Sequence, residues 1–438
     1  MNSAERVVVI GGGMAGARLV QRLAAAGPGV HDVTLVGEEP HAPYTRVLLA
    51  EVLAGRYPPD VISLPHPPAV RRLPGVRAVR IDRARREVEC DDGGVLAYDR
   101  LVLATGANPV LPPLRGLFPT GGGQLPGGVH PFRTLDDCLA LDAAVRDGEA
   151  AGRDGGTGGN GAVVIGGGLL GVSAARALAA RGVRTVLAHQ GERLMEGQLD
   201  DGASVLLRHH LEGLGVEVHT ECRVRGLRTT PAGAVRAVEL ADGYVLDAGL
   251  VVLACGVRPR TGLAAEAGLT VARGVVVDDE LRTSDPRIHA VGDCAEHAGT
   301  VYGLAGPALE QADALARVLS ARHGDSARPP GYPGTRALTR LTLAPPPHPG
   351  APDGSDVQDP LDIASFGVTT PLPEDDVIRF TDATRGVHRQ AVVRGDRLVG
   401  GVLLGDLGGV GALATAWEAD EPLPDTPLLH LLTDDGGS

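Results

Sequence analysis

The 438-residue chain contains no lysine, so all 41 basic residues are arginine. Without a lysine amine there is no Schiff-base nucleophile and no lysine to reach the phosphates of a Walker-type loop. Cysteine is scarce as well. Cys90, Cys138, Cys222, Cys255 and Cys294 form no CxxC or CxxxxC pair. A dithiol redox centre, an iron–sulfur cluster and a zinc site therefore lack ligands in sequence. Each thiol reads as a small buried hydrophobe rather than a reactive group. No run approaches the roughly 18 apolar residues of a membrane span. The opening MNSAERVVVIGGG passes from a short polar stretch into a strand without a cleavable-signal pattern. The expectation is a cytoplasmic protein with no membrane partner. Clustered positive charge is also missing: the formal net charge is −13 at pH 7. Phosphate-backbone binding is supplied by Lys and Arg clusters, so no nucleic-acid partner is expected.

What the chain does have is length, a 43% hydrophobic fraction and 63 glycines. It exceeds the size at which one hydrophobic core stops growing, so two or three domains are expected. Two stretches share one pattern: RVVVIGGGMAGARLVQRLAAAG at 6–27 and GAVVIGGGLLGVSAARALAARG at 161–182. Each is an apolar strand, a three-glycine turn and a helix, and the second carries Ser173 in the first turn of its helix. Further strand candidates follow both: DVTLV and RLVLAT after the first, RTVLA, VEVH and GLVVLAC after the second. Alternating strands and helices predict an α/β fold of two Rossmann-like dinucleotide-binding domains with parallel sheets.

Three Gly-, Pro- and Asp-rich stretches, 118–128, 147–161 and 344–360, are expected to be surface loops. Beyond about residue 336 the texture changes to short strands, with a hairpin expected at Gly395 and Asp396. A short helix near Trp417 and a frayed tail close this third, small α+β domain. The expected division is 1–117 and 247–335 for one Rossmann domain, 118–246 for the second, and 336–438 for the α+β unit.

Gly11, Gly13 and Gly16 form GxGxxG in the first copy, as do Gly166, Gly168 and Gly171 in the second. The first glycine permits the tight turn, the second lets backbone approach a diphosphate, and the third lets helix sit close to sheet. The diphosphate rests on free N–H groups at the positive helix end, beside Met14 and Ala15 in one copy and Leu169 and Leu170 in the other. Glu38, at the end of the second strand, offers a carboxylate to ribose hydroxyls. It stands 27 residues after Gly11, against the ~20 usual for this motif, and the loop GPGVHD accounts for the excess. YDRLVLATGANP and GLVVLACGVRP are apolar strands ending in small-residue turns, with Ala104, Thr105 and Gly106 in one and Gly256 in the other. RTSDPRIHAVGDCAEH runs a strand into Gly292 and Asp293.

Together these motifs resemble the two-dinucleotide-binding-domain flavoproteins. The resemblance implies FAD in the first Rossmann domain and NADH or NADPH in the second, with the two ATG-like turns as crossings between domains. It also implies that Asp293 bonds a ribityl hydroxyl, and it adds Val79 to the FAD contacts. One Rossmann unit for each nucleotide is the reason for the repeated device, because hydride transfer needs positioning and exclusion of water more than acid–base help. Further stretches, EEPHAPYTRVLLAEVLAG, RLMEGQLDDGASVLLRHHLEGLGVEVH, VYGLAGPALEQADALARVL and LVGGVLLGD, are similar to the FAD- and NAD(P)H-binding portion of assimilatory nitrite reductase large subunits. That likeness implies Arg46 beside the flavin. It also implies a helix opening near Pro307 and Ala308 whose positive end stabilises the reduced flavin.

Departures from the pattern matter too. The 438 residues carry neither the iron–sulfur segment nor the sirohaem module of those subunits, so nitrite reduction within this chain is not expected. No cysteine follows the Tyr-x-Arg segment, where LLAEV stands, so thiol-mediated reduction is not expected either. Ferredoxin reductases of the group pair a Glu with a Lys near the nicotinamide; this chain has Ser173 and Glu51 there. At the coenzyme's ribose it has His189, with Arg193 close by, which leaves NADH and NADPH both open; the resemblance leans to NADH. The expected activity is hydride transfer from NAD(P)H to FAD and electron transfer to a separate redox protein, a ferredoxin or a nitrite reductase module. Two rivals stay open: a flavin oxidase or monooxygenase acting on a small-molecule substrate, and a redox-sensing flavoprotein without turnover. A homodimer is also open.

Overall fold

The computed structural model describes residues 4–27, 29–118, 123–153, 161–321, 330–344, 360–424 and 432. Its helices, in chain order, are α1 (Met14–Ala25), α2 (Leu49–Leu53), α3 (Leu135–Arg153), α4 (Leu169–Ala180), α5 (Asp201–Gly213), α6 (Gly262–Glu266), α7 (Ala305–Ser320) and α8 (Val410–Ala419). The chain divides into two compact units. The first comprises 1–48, 58–108 and 257–337, and the second 49–57, 109–256 and 338–438.

The first unit is built on a parallel five-stranded sheet. Its order is Ile288–Ala290, Arg100–Leu103, Glu5–Ile10, His31–Gly37, Arg71–Pro74. A strand covered on both faces reads as a continuous apolar run rather than an alternating one. Val7, Val8, Val9 and Ile10 are all buried, in one core with Leu19 and Leu23 of α1 and Ala312 and Leu315 of α7. The strands Ala78–Asp82, Glu87–Cys90 and Val95–Ala97 add a small antiparallel sheet.

The second unit repeats the parallel design in the order Val216–His219, Thr185–Ala188, Ala162–Ile165, Leu250–Leu253, Val129–Pro131. It also holds an antiparallel five-stranded sheet, in the order Leu338–Leu343, Leu361–Gly367, Arg397–Leu404, Val387–Arg394, Asp376–Asp382. Its last hairpin turns at Gly395 and Asp396, with Gly395 at φ +64°. Trp417 of α8 packs on Phe366 with ring centroids 5.1 Å apart.

Four expectations are corrected by these contacts. The chain leaves the first unit after Asn108 and returns at Val257, not at 117 and 247. Arg115 exchanges backbone hydrogen bonds with Arg225 and Leu227, and Leu250–Leu253 is a strand of the second sheet. Residues 49–57 belong to the second unit, where Leu53 O accepts from Arg181. The α+β segment is clustered with that unit as well. His388 of its strand Val387–Arg394 bonds Asp200, the residue that caps α5. Residues 147–153 are helix rather than loop. A reciprocal capping pair, Thr134 with Asp137, starts α3, and the helix then propagates through Gly148 and Gly152. Residues 119–122, 154–160, 345–359 and most of the tail lie outside the described residues. Among the described residues no helix is long and apolar enough to cross a membrane, and no group of three or more His, Cys, Asp or Glu could hold a metal ion.

Candidate dinucleotide-binding sites

In the first unit the turn after Ile10 has no room for side chains. Gly11 sits at φ +120°, and a Cβ there would lie 2.0 Å from the Ala104 carbonyl oxygen; one on Gly16 would lie 2.0 Å from the Gly11 oxygen. Gly13 is the opposite case, with nothing within 4 Å of a Cβ. It caps α1 without any side-chain hydrogen bond, and the first turn, Met14 and Ala15 included, holds no acidic residue. The helix therefore opens on unclaimed N–H groups and an uncompensated positive end, with space in front of them.

A second element closes on this turn. Gly292, at φ +77°, lies between the starts of α1 and α7: a Cβ would meet Ala15 Cβ at 3.0 Å and Ala308 Cβ at 3.8 Å. Its N–H donates to the Gln311 side chain at 2.7 Å, which fixes the turn carrying Asp293. Helix α7 begins at Ala305, two residues before the expected Pro307, again without a side-chain cap or an early carboxylate. Thr105 Oγ1 donates to the Arg260 carbonyl, and the Arg260 N–H donates to the carbonyl of Gly106, which stands at φ +70°.

Arg46 is held in the same unit. Its guanidinium donates to Glu39 at 2.5 Å and lies over the Tyr44 ring, 5.2 Å from the centroid, while the Tyr44 hydroxyl donates to Glu39 at 2.6 Å. Burial works against the charge, but Tyr44, Glu39 and Asp293 together outweigh it and raise the Arg46 pKa. Arg46 and Asp293 are thus brought into one electrostatic group. Glu39 and Tyr44 were missed in the sequence; the only signal was the double carboxylate at 38 and 39. Glu38 itself is tied at 2.5 Å to Arg260. Val79 is 39% exposed on the strand Ala78–Asp82 and lines a cleft of about 390 Å³ with Arg80, Asp82, Arg83 and Glu266.

The second unit reproduces the turn. Gly166 is at φ +117°, and a Cβ on it would lie 2.3 Å from the Ala254 oxygen; one on Gly171 would lie 1.8 Å from the Gly166 oxygen. Gly168 is open and caps α4 with no side chain, ahead of Leu169 and Leu170 and without an acidic residue in the first turn. Gly256 is at φ +96° and its carbonyl accepts from Val110 N–H. His189 packs on this turn, its Nδ1 accepting from Gly167 N–H at 3.1 Å. Burial lowers its pKa, with Glu196 pulling the other way. Arg193 pairs with Asp201 at 2.7 Å. Ser173 lies in the second turn of α4, not the first, and its hydroxyl donates back to Leu169 O at 2.8 Å. Glu51 has its own partner: Arg176 donates to it at 2.5 Å and to Ala344 O at 2.7 Å.

The two glycine turns, each with an open, uncapped helix start, coincide with the match of residues 5–312 to the pyridine nucleotide-disulphide oxidoreductase family. The chain belongs to this family. Its thiols, however, are all free, and burial raises their pKa: Cys138 to about 12, Cys255 to about 11, and Cys90, Cys222 and Cys294 in the same direction. Members to which the chain is similar include a nitrite reductase [NAD(P)H] of Bacillus subtilis, 31% identical over 98% of this chain and 49% of the relative. Another is the ferredoxin–NAD(+) reductase component of the biphenyl dioxygenase system of Paraburkholderia xenovorans, 33% identical over 66% of this chain and 67% of the relative. Among solved structures, a chain of the covalent putidaredoxin reductase–putidaredoxin complex superposes with TM-score 0.78 at 26% identity, over 98% of this chain and 96% of that one. The chain spans about half the length, or less, of the nitrite reductases it matches.

Proposed function

We propose that the protein is an FAD-dependent NAD(P)H oxidoreductase that passes electrons to a separate redox protein, a ferredoxin or a nitrite reductase module. The observation that carries this reading is the duplicated turn. Twice, a glycine at positive φ packs against a facing carbonyl, and the next motif glycine faces open space at an uncapped helix start. Both turns fit a dinucleotide diphosphate, since a side chain on the first or third glycine would fall on backbone and one on the second would fill the open space at the helix start.

When bound, FAD supplies the hydride acceptor for NAD(P)H and a means of releasing electrons singly to a protein. In this reading Gly11, Gly13, Met14, Ala15 and Gly16 hold the FAD diphosphate, and Asp293 holds the ribityl chain. Arg46, fixed by Glu39 and Tyr44, orients the ring system. The start of α7 at Ala305–Ala308 contributes positive potential where negative charge collects on reduction. Gly166, Gly168 and Gly171, with Leu169 and Leu170, hold the nicotinamide coenzyme. The thiols take no part, because burial keeps each of them protonated near neutral pH. The reading carries with it a cytoplasmic location; a homodimer is compatible with it.

The test is an anaerobic titration of purified protein with NADH and NADPH, followed by electron acceptors. The visible flavin band bleaches on addition of reduced coenzyme, and a ferredoxin then stimulates coenzyme oxidation strongly. Protein that stays colourless after reconstitution with FAD overturns the reading. Stoichiometric product from a small organic substrate without a carrier favours the oxidase alternative.

A further inference from the structure

We propose that Glu196 sets coenzyme choice in the second unit and favours the unphosphorylated ribose of NADH over that of NADPH. The proposal rests on the functional reading above. In a Rossmann unit the adenosine ribose lies beyond the end of the second strand, where a carboxylate accepts from its diol and repels a 2′-phosphate, while a nearby arginine does the reverse. Here that strand is Thr185–Ala188, and the residue after it is His189.

His189 brings no charge to either role. Its Nδ1 accepts from Gly167 N–H at 3.1 Å, which leaves the ring neutral, with its proton on Nε2. The ring is also wedged: a Cβ on Gly167 would lie 2.7 Å from His189 Cγ and 2.7 Å from Leu194 Cδ2. The arginine candidate is already engaged, since Arg193 Nη1 lies 2.7 Å from Asp201 Oδ1.

A carboxylate reaches the same place from further along the chain. Met195 is buried at φ +52°, a left-handed backbone that non-glycine residues rarely adopt outside strained functional positions. Its N–H donates to Gly167 O at 2.9 Å, so the strained residue is pinned to the glycine turn itself. The next side chain, Glu196, is thereby laid over Gly191, two residues past His189: a Cβ on Gly191 would lie 2.3 Å from Glu196 Oε1. That oxygen also accepts from Arg193 N–H at 3.4 Å. Along 190–201 Asp201 is paired with Arg193, and Asp200 is buried on His388 and Arg379, which leaves Glu192 and Glu196 as the carboxylates that no described guanidinium pairs with in this loop. A 2′-phosphate would bring nearly two more negative charges into this loop. A diol would bring two donors to a carboxylate.

Calorimetric titration of the flavin-loaded protein with NAD+ and NADP+ tests this. Wild type binds NAD+ at least about tenfold more tightly than NADP+, and Glu196→Gln weakens NAD+ by about 10- to 100-fold, the worth of hydrogen bonds to a charged group. The same variant leaves NADP+ unchanged or tighter, so the preference collapses. Asp201→Asn, at a side chain 87% exposed, releases Arg193 and tightens NADP+ alone. Equal binding of both coenzymes by wild type, an unchanged preference in Glu196→Gln, or unchanged NADP+ affinity in Asp201→Asn overturns the proposal and leaves the reductase reading standing. Binding of neither coenzyme overturns both.

Discussion

Arg176 donates through Nη2 to Glu51 Oε1 at 2.5 Å, with the guanidinium 1% exposed and the carboxylate 14%. Position 176 is three residues beyond Ser173, on the same face of α4. The two positions that read in sequence as a lost ion pair are thus separate matters. Ser173 is tied to its own helix, and Glu51 pairs with Arg176, which joins α2 to α4 within the second unit, while the other Glu51 oxygen lies 3.4 Å from Arg56. Removing one partner of a buried pair strands the other charge. Glu51→Ala is expected to destabilise the protein by about 3–5 kcal/mol, whereas Glu51→Leu combined with Arg176→Met recovers most of the loss. Urea unfolding of the two variants beside wild type checks both expectations; a double variant no more stable than Glu51→Ala would show the residues to be uncoupled.

On the proposed reading, the third glycine of each motif is expected to govern one nucleotide without the other. In Gly171→Ala a methyl group lands 1.8 Å from the Gly166 oxygen and pushes α4 off its sheet, at a cost of about 1–3 kcal/mol in overpacking. NAD+ binding is lost while bound flavin stays at the wild-type ratio. Gly16→Ala does the reverse, clashing with Gly11 O at 2.0 Å. Flavin absorbance per protein and calorimetry with NAD+ read the two effects apart.

Asp293 stands on a turn fixed by Gln311. Asp293→Asn is expected to weaken FAD binding by about 10- to 100-fold, the range for a charge-assisted hydrogen bond. Gln311→Leu leaves Gly292 N–H without its side-chain acceptor and gives a smaller loss in the same direction. Fluorescence of flavin released on dilution measures each; retention of FAD by Asp293→Asn removes that residue from the cofactor's contacts.

His289 lies in the core of the first unit at 1% exposure, with the Leu281 backbone as its one weak polar neighbour. Burial first, then Arg100 and Arg282, push its pKa down to about 3 from 6.5. The unfolded chain therefore takes up a proton that the folded chain refuses. The contribution of His289 is fully present above about pH 6.5 and is lost as pH falls toward 3, with a slope of about 1.4 kcal/mol per pH unit. His289→Leu flattens that slope between pH 4 and 6. Identical pH–stability curves for variant and wild type would place a charge on the buried ring.

Much of this architecture was legible residue by residue. Strands buried on both faces announce themselves as VVVI and AVVI because neither side can be polar. Gly11 and Gly166 announce turns because only glycine tolerates φ near +120° against a facing carbonyl. Thr134 with Asp137 could have been read as a helix start, but the glycines at 148 and 152 outweighed it in a reading by composition.

The sequence by itself determined that there are two dinucleotide turns, their order, and which glycines and helix starts form them, since these demands are met within a few residues of backbone. Tertiary structure alone decided which carboxylate serves which group: Glu39 rather than Glu38 beside Arg46, Glu196 rather than a strand-end residue beside Gly191, Glu51 on Arg176. It also moved the unit boundaries to 108 and 257. The reason is physical. A side chain's partner across the sheet or along a distant loop depends on which surfaces meet, and that is a property of packing, not of spacing along the chain.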